Sequence, residues 1–125
     1  MLVLLTALIL TGTSAHPENV ATASRVCERP SSWKIHHQLP VEYPRFKRAL
    51  VLHFGRHWKE AAIVSWGEGS WHWFAENGQY KGTFQMGSDE RRQYGHSNTL
   101  VGQVAAAARY WRASGKDWSP WDCKP

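Results

Sequence analysis

Residues 44–69 read Pro-Arg-Phe-Lys-Arg-Ala-Leu-Val-Leu-His-Phe-Gly-Arg-His-Trp-Lys-Glu-Ala-Ala-Ile-Val-Ser-Trp-Gly-Glu-Gly, and they carry the firmest helical signal of the chain. Pro44 suits the first turn of a helix, where no intrahelical amide bond is lost. Beyond it Phe46, Leu50, Phe54, Trp58, Ala61 and Ala62 recur at helical spacing, and the pattern continues through Val64. The spacing predicts a helix over roughly 45–66. It stops at Gly67 or Gly69, with Glu68 at its exit.

Downstream, Asn77-Gly78 is a tight-turn dipeptide, and its neighbours suit short extended structure. Ser88 followed by Asp89 and Glu90 reads as an N-cap with acidic first-turn residues, opening a short helix to about Tyr94. Leu100 to Ser114 is predicted as the last helix, capped by Asn98 or Thr99 and ended by Gly115. Its Val101, Val104, Ala105, Ala108, Tyr110 and Trp111 fit a buried helix whose small residues allow close approach. The fold class expected is mainly α: a small helical domain with a minor β-hairpin or extended segment, spanning 44–125.

Upstream, residues 16–43 show Pro17, Pro30 and Pro40 with no sustained periodicity, and read as an irregular arm. Residues 1–15 combine an apolar run, Leu2 to Leu10, with small residues ending in Thr13-Ser14-Ala15, the order of parts in a secretory signal peptide. The apolar run is about half the length a membrane span needs, so no stable membrane insertion is expected after cleavage. A buried N-terminal helix is the competing reading. The only two cysteines, Cys27 and Cys123, are expected to form a disulfide in an exported, extracellular or wall-associated protein. Neither has a second cysteine at ligand spacing, so no metal is expected there.

The net charge of +5 favours polyanionic surfaces. Lys and Arg are scattered and form no run, which argues against a nucleic-acid partner. Eight tryptophans are too many for so small a core to hide, so some should reach the surface, where flat rings stack on sugars. His53 and His57 share a helical face at ligand spacing, but no third ligand or HExxH pattern accompanies them. No cofactor is called for.

Glu68 lies between Trp66 and Trp71, flanked by two glycines. A carboxyl among indoles loses hydration, which raises its pKa and suits a general acid. The plainer alternative is a surface carboxylate near a helix end.

Residues 62–86 run from Ala62 through Glu68, Trp71, Asn77-Gly78, Tyr80, Gly82 and Phe84-Gln85 to Met86. They resemble the core of resuscitation-promoting factors and related lytic transglycosylases of the lysozyme-like superfamily. There a helix ends in a catalytic Glu, followed by an aromatic and then Asn-Gly-x-Tyr-x-Gly-x-x-Gln. Gln103, Tyr110, Gly115, Trp118, Pro120, Trp121 and Cys123 are similar to the later part of that pattern. The resemblance implies an α+β lysozyme-like fold and cleavage of the MurNAc–GlcNAc β-1,4 bond of peptidoglycan. Glu68 would protonate the leaving oxygen, then act as base on the sugar's 6-hydroxyl or on water. Gln85 would bind substrate or position Glu68; Trp71, Asn77 and Tyr80 would contact sugar, and Gly82 would let the backbone approach it.

The chain also departs from the pattern. Relatives often carry a cysteine shortly before the catalytic Glu; here Ile63, Val64, Ser65 and Gly67 stand there. Gly87-Ser88-Asp89-Glu90 replaces a sugar-contacting segment, which leaves Asp89 or Glu90 as a possible second carboxylate. Two rival readings remain: a peptidoglycan-binding or signalling module that keeps the groove without turnover, and a cationic membrane-active protein. The mixed charge of residues 45–66 argues against the latter.

Overall fold

The computed structural model describes residues 25–29 and 43–125. The signal-like segment, Trp33 and most of the expected arm lie outside them. In chain order come β1 (Arg25–Val26), α1 (Tyr43–Phe54), a 3-10 turn (Gly55–His57), α2 (Trp58–Gly69), β2 (Glu76–Asn77), β3 (Tyr80–Lys81), α3 (Ser88–Tyr94), α4 (Leu100–Ala113) and β4 (Cys123–Lys124). The fold is mainly α with minor β elements, as the periodicity implied.

The helix expected over 45–66 is two helices. Gly55 has φ +56, a left-handed conformation that costs glycine little but cannot continue an α-helix. The apolar pattern ran across the break because α1 and α2 face one core. Phe46, Leu50 and Phe54 of α1 meet Ala61 and Val64 of α2 and Val104, Ala107 and Trp111 of α4 there. The alanine run 105–108 is buried, and the small side chains let α1 lie close against α4.

α4 is capped as expected: Thr99 Oγ1 accepts from the Gly102 amide at 3.1 Å. α3 differs by one residue, since Gly87 is its N-cap and Ser88 Oγ donates instead to Gln79. β2 and β3 form an antiparallel hairpin with Glu76 opposite Lys81 and Asn77 opposite Tyr80. The two loop residues are therefore Gly78 and Gln79.

Cys27 and Cys123 form the disulfide, across a sequence separation of 96. By chain entropy a loop of that size contributes about 4–5 kcal/mol. The bridge accompanies parallel pairing of β1 with β4, Arg25 opposite Cys123. Trp118 and Trp121 are buried, so the C-terminal segment is packed as well as bonded. No helix among the described residues is long and apolar enough to cross a membrane.

Candidate active site

Glu68 occupies the last turn of α2, and its environment is made by the C-terminal segment. Its Oε1 accepts hydrogen bonds from the amides of Asp122 at 2.9 Å and Cys123 at 3.3 Å. The disulfide lies directly against the preceding residue: a Cβ on Gly67 would sit 2.5 Å from Cys123 Sγ. Glycine at 67 is thus what lets the bridge, and with it both amides, reach the carboxyl group.

Glu68 has its pKa raised to about 7. Burial is the main cause, and the nearby Asp122 carboxylate adds to it. The two amide hydrogen bonds and the Arg25 guanidinium oppose the rise. The indoles flanking Glu68 in sequence are not the ones beside it in space. Residues two apart on a helix point about 200° apart, so Trp66 faces the core while Glu68 faces outward. Trp121 is the indole on the Glu68 side, lining the same groove.

That groove is open, with a volume of about 600 Å³. Among the sites expected from sequence, it brings together Glu68, Asn77, Tyr80 and Gln85. Tyr80 is 44 % exposed, so its ring is available. The Gln85 amide nitrogen donates to Ala75 O at 3.1 Å and Gly82 O at 3.0 Å, bracing the hairpin while the side chain lines the groove. Asp89 and Glu90 also reach the lining, with Asp89 ion-paired to Arg92.

Two expectations are corrected. Trp71 does not line the groove: it is 3 % exposed, its indole donates to Ala62 O at 2.8 Å, and its ring meets Trp66 at 4.9 Å. Left-handed backbone at Ser70 and Trp71 turns the chain back under α2, which sends the ring inward. Gly82 makes its close approach inside the protein, where a Cβ would lie 2.6 Å from Gln103 Oε1 and 2.9 Å from His96 Nε2.

A buried polar cluster fixes the hairpin to the helices. Gln103, 2 % exposed, accepts from the Thr83 amide at 3.0 Å and donates to Trp73 O at 2.7 Å. Thr83 Oγ1 shares a 2.7 Å hydrogen bond with Ser65 Oγ on α2. A Cβ on Gly69 would lie 2.9 Å from Gly82 O, so the hairpin base lies tightly on the end of α2, one residue from Glu68.

Sequence reasoning missed Arg25 and Asp122 in the groove. The only available signal was their nearness to Cys27 and Cys123; the bridge draws both neighbours together, but nothing in the sequence said it would land on α2. His53 and His57 do not share one helical face, because the break at Gly55 separates them; His57 pairs with Glu60. Among the described residues no three His, Cys, Asp or Glu side chains are grouped to hold a metal ion.

Fold and site together define a small, mainly helical domain with a half-buried carboxyl group in an open polar groove. Comparisons with protein-family models, with curated proteins and with solved structures returned no match.

Proposed function

We propose that this chain is a lysozyme-like enzyme that cleaves the MurNAc–GlcNAc β-1,4 bond of peptidoglycan glycan strands, with Glu68 as its single general acid/base. The observation that carries the reading is a carboxyl group, pKa about 7, held by two amides in a groove large enough for sugars. A glycosidic oxygen is a poor leaving group until protonated, and the acid must still hold its proton near working pH. Oε1 is the acceptor of both amides, so the proton belongs on Oε2. From there it passes to the leaving oxygen as positive charge develops at the anomeric carbon. The resulting carboxylate then takes a proton from the sugar's own 6-hydroxyl, closing a 1,6-anhydro ring, or from water, giving a reducing end. The two amides stabilise the carboxylate between these steps.

Export fits this reading, since both a disulfide and the signal-like residues 1–15 suit a protein that works at a cell wall. Incubating the purified chain and Glu68→Gln with isolated peptidoglycan, then weighing the released muropeptides by mass spectrometry, tests the proposal. Wild type should release fragments and the variant at least about a hundredfold fewer. Fragments lighter by one water mean transglycosylation, hydrated ones mean hydrolysis. Equal release overturns Glu68 as the acid, and wall binding without any release by either protein leaves a peptidoglycan-binding module.

A further inference from the structure

Among the described residues lining the groove, Arg25 is the sole cation; Glu68, Asp89, Glu90 and Asp122 supply carboxyl groups. It is held in place at short range. β1 pairs Arg25 with Cys123, the residue after Asp122, and Cys27 two positions on is bonded to Cys123. The Cys27 amide donates to Lys124 O at 2.7 Å, which closes the same short ladder. Arg25 is exposed, and among the described residues its guanidinium has no ion pair. An unpaired guanidinium on an otherwise acidic groove is suited to a carboxylate, which it can hold through two parallel hydrogen bonds.

We infer that Arg25 recognises a carboxylate on the glycan strand and thereby sets the register in which the strand passes Glu68. This rests on the proposed peptidoglycan reading. In such a strand every second sugar bears a lactyl group, whose acid is either free or extended by a stem peptide ending in carboxylates. With that sugar beside Arg25, the negative charge meets the guanidinium. Displaced by one sugar, the strand offers Arg25 a neutral residue and carries its carboxylates toward Glu90 on the opposite wall, where like charge repels them. Attraction at one point and repulsion elsewhere select one of the two alternating bonds for cleavage.

The test compares Arg25→Ala and Arg25→Lys with the parent, each in a Glu68→Gln background that silences turnover. Dissociation constants are measured for amidase-stripped glycan strands, for peptide-bearing strands and for neutral chito-oligosaccharide. Arg25→Ala should reduce the preference for acidic over neutral sugar on the order of tenfold, with Arg25→Lys recovering part of it. Loss on stripped strands identifies the lactyl carboxylate; loss confined to peptide-bearing strands identifies the stem peptide. An unchanged preference overturns the inference, as does failure of the Glu68→Gln protein to bind any strand. With Glu68 intact, Arg25→Ala should also release fragments from both alternating bonds. A pH profile that shifts while the cleaved bond stays unique would instead mean that Arg25 acts only through the charge on Glu68. If Glu68 proves not to cleave, the binding arm still judges Arg25 by itself.

Discussion

Glu68 keeps its proton because burial removes water from the carboxylate and Asp122 adds a like charge, more than two amides and Arg25 restore. The folded protein therefore favours the neutral acid. Its raised pKa contributes stability that is fully present below the ordinary value of 4.5 and is lost as pH rises through about 7. Glu68→Gln, which cannot ionise, should remove that loss and be more stable than wild type by about 2–3 kcal/mol at pH 8, with little difference at pH 4. Urea unfolding at the two pH values checks this; parallel curves for both proteins would refute it. For the proposed reaction, kcat/KM should fall above about pH 7 as the acid form is depleted. Trp71 and Tyr80 separate at the same scale, although sequence placed both in the groove. Trp71→Ala should cost about 3–5 kcal/mol of stability, because a fully packed indole leaves a cavity. Tyr80→Ala should cost under about 1 kcal/mol and weaken strand binding instead. The sequence could not distinguish the two rings, since what separates them is left-handed backbone at residue 71.

The elements show where helical periodicity informs and where it fails. Phe46 to Val64 identified the core face correctly, because burial depends on side-chain spacing, which survives a short turn. It missed the break at Gly55, where only backbone conformation changes. The caps were legible where a side chain makes them, as at Thr99, and displaced by one residue at Gly87, where none does. The link between the segment after β1 and β4 was legible as a pairing of two cysteines, but its contact with Glu68 on α2 was not. That contact depends on Gly67, and the dependence can be measured. Gly67→Ala puts a methyl group 2.5 Å from Cys123 Sγ, so the bridge must shift or the segment must lift from α2. The variant should lose about 2–4 kcal/mol, a large part of what the disulfide contributes. It should also show its thiols to a thiol reagent under mild reduction that leaves wild type closed. In parallel the Glu68 carboxyl, rehydrated, should titrate nearer 4.5 by carbon NMR. A variant with an intact bridge and a Glu68 still titrating near 7 would show that the close approach is not what holds the carboxyl group.

Across the whole molecule a chain with net charge +5 keeps an acidic groove, an arrangement invisible to composition because it depends on which charges converge. Arg25 and Asp122 are far apart in sequence and meet through the disulfide, so no local pattern could place them. The same long-range packing sets the pH range of the fold through a second buried group. His96 has its pKa lowered to about 4, chiefly by burial and then by the nearby Arg91, and its Nε2 has no partner among the described residues. Its sign is opposite to that of Glu68. A histidine depressed in the folded state contributes stability that is present above its ordinary 6.5 and lost as pH falls through about 4. After allowance for solvent around a half-buried ring, the loss is about 1–2 kcal/mol. One group therefore destabilises the acid side and the other the alkaline side, and Tm should pass through a maximum between about pH 5 and 6. His96→Asn should flatten only the acid limb and Glu68→Gln only the alkaline limb, so that the double variant is nearly level from pH 4 to pH 8. Calorimetry on the four proteins decides it: if either single variant flattens both limbs, the two groups are coupled through the packing around Gly82 and Gly69 and do not titrate as independent sites.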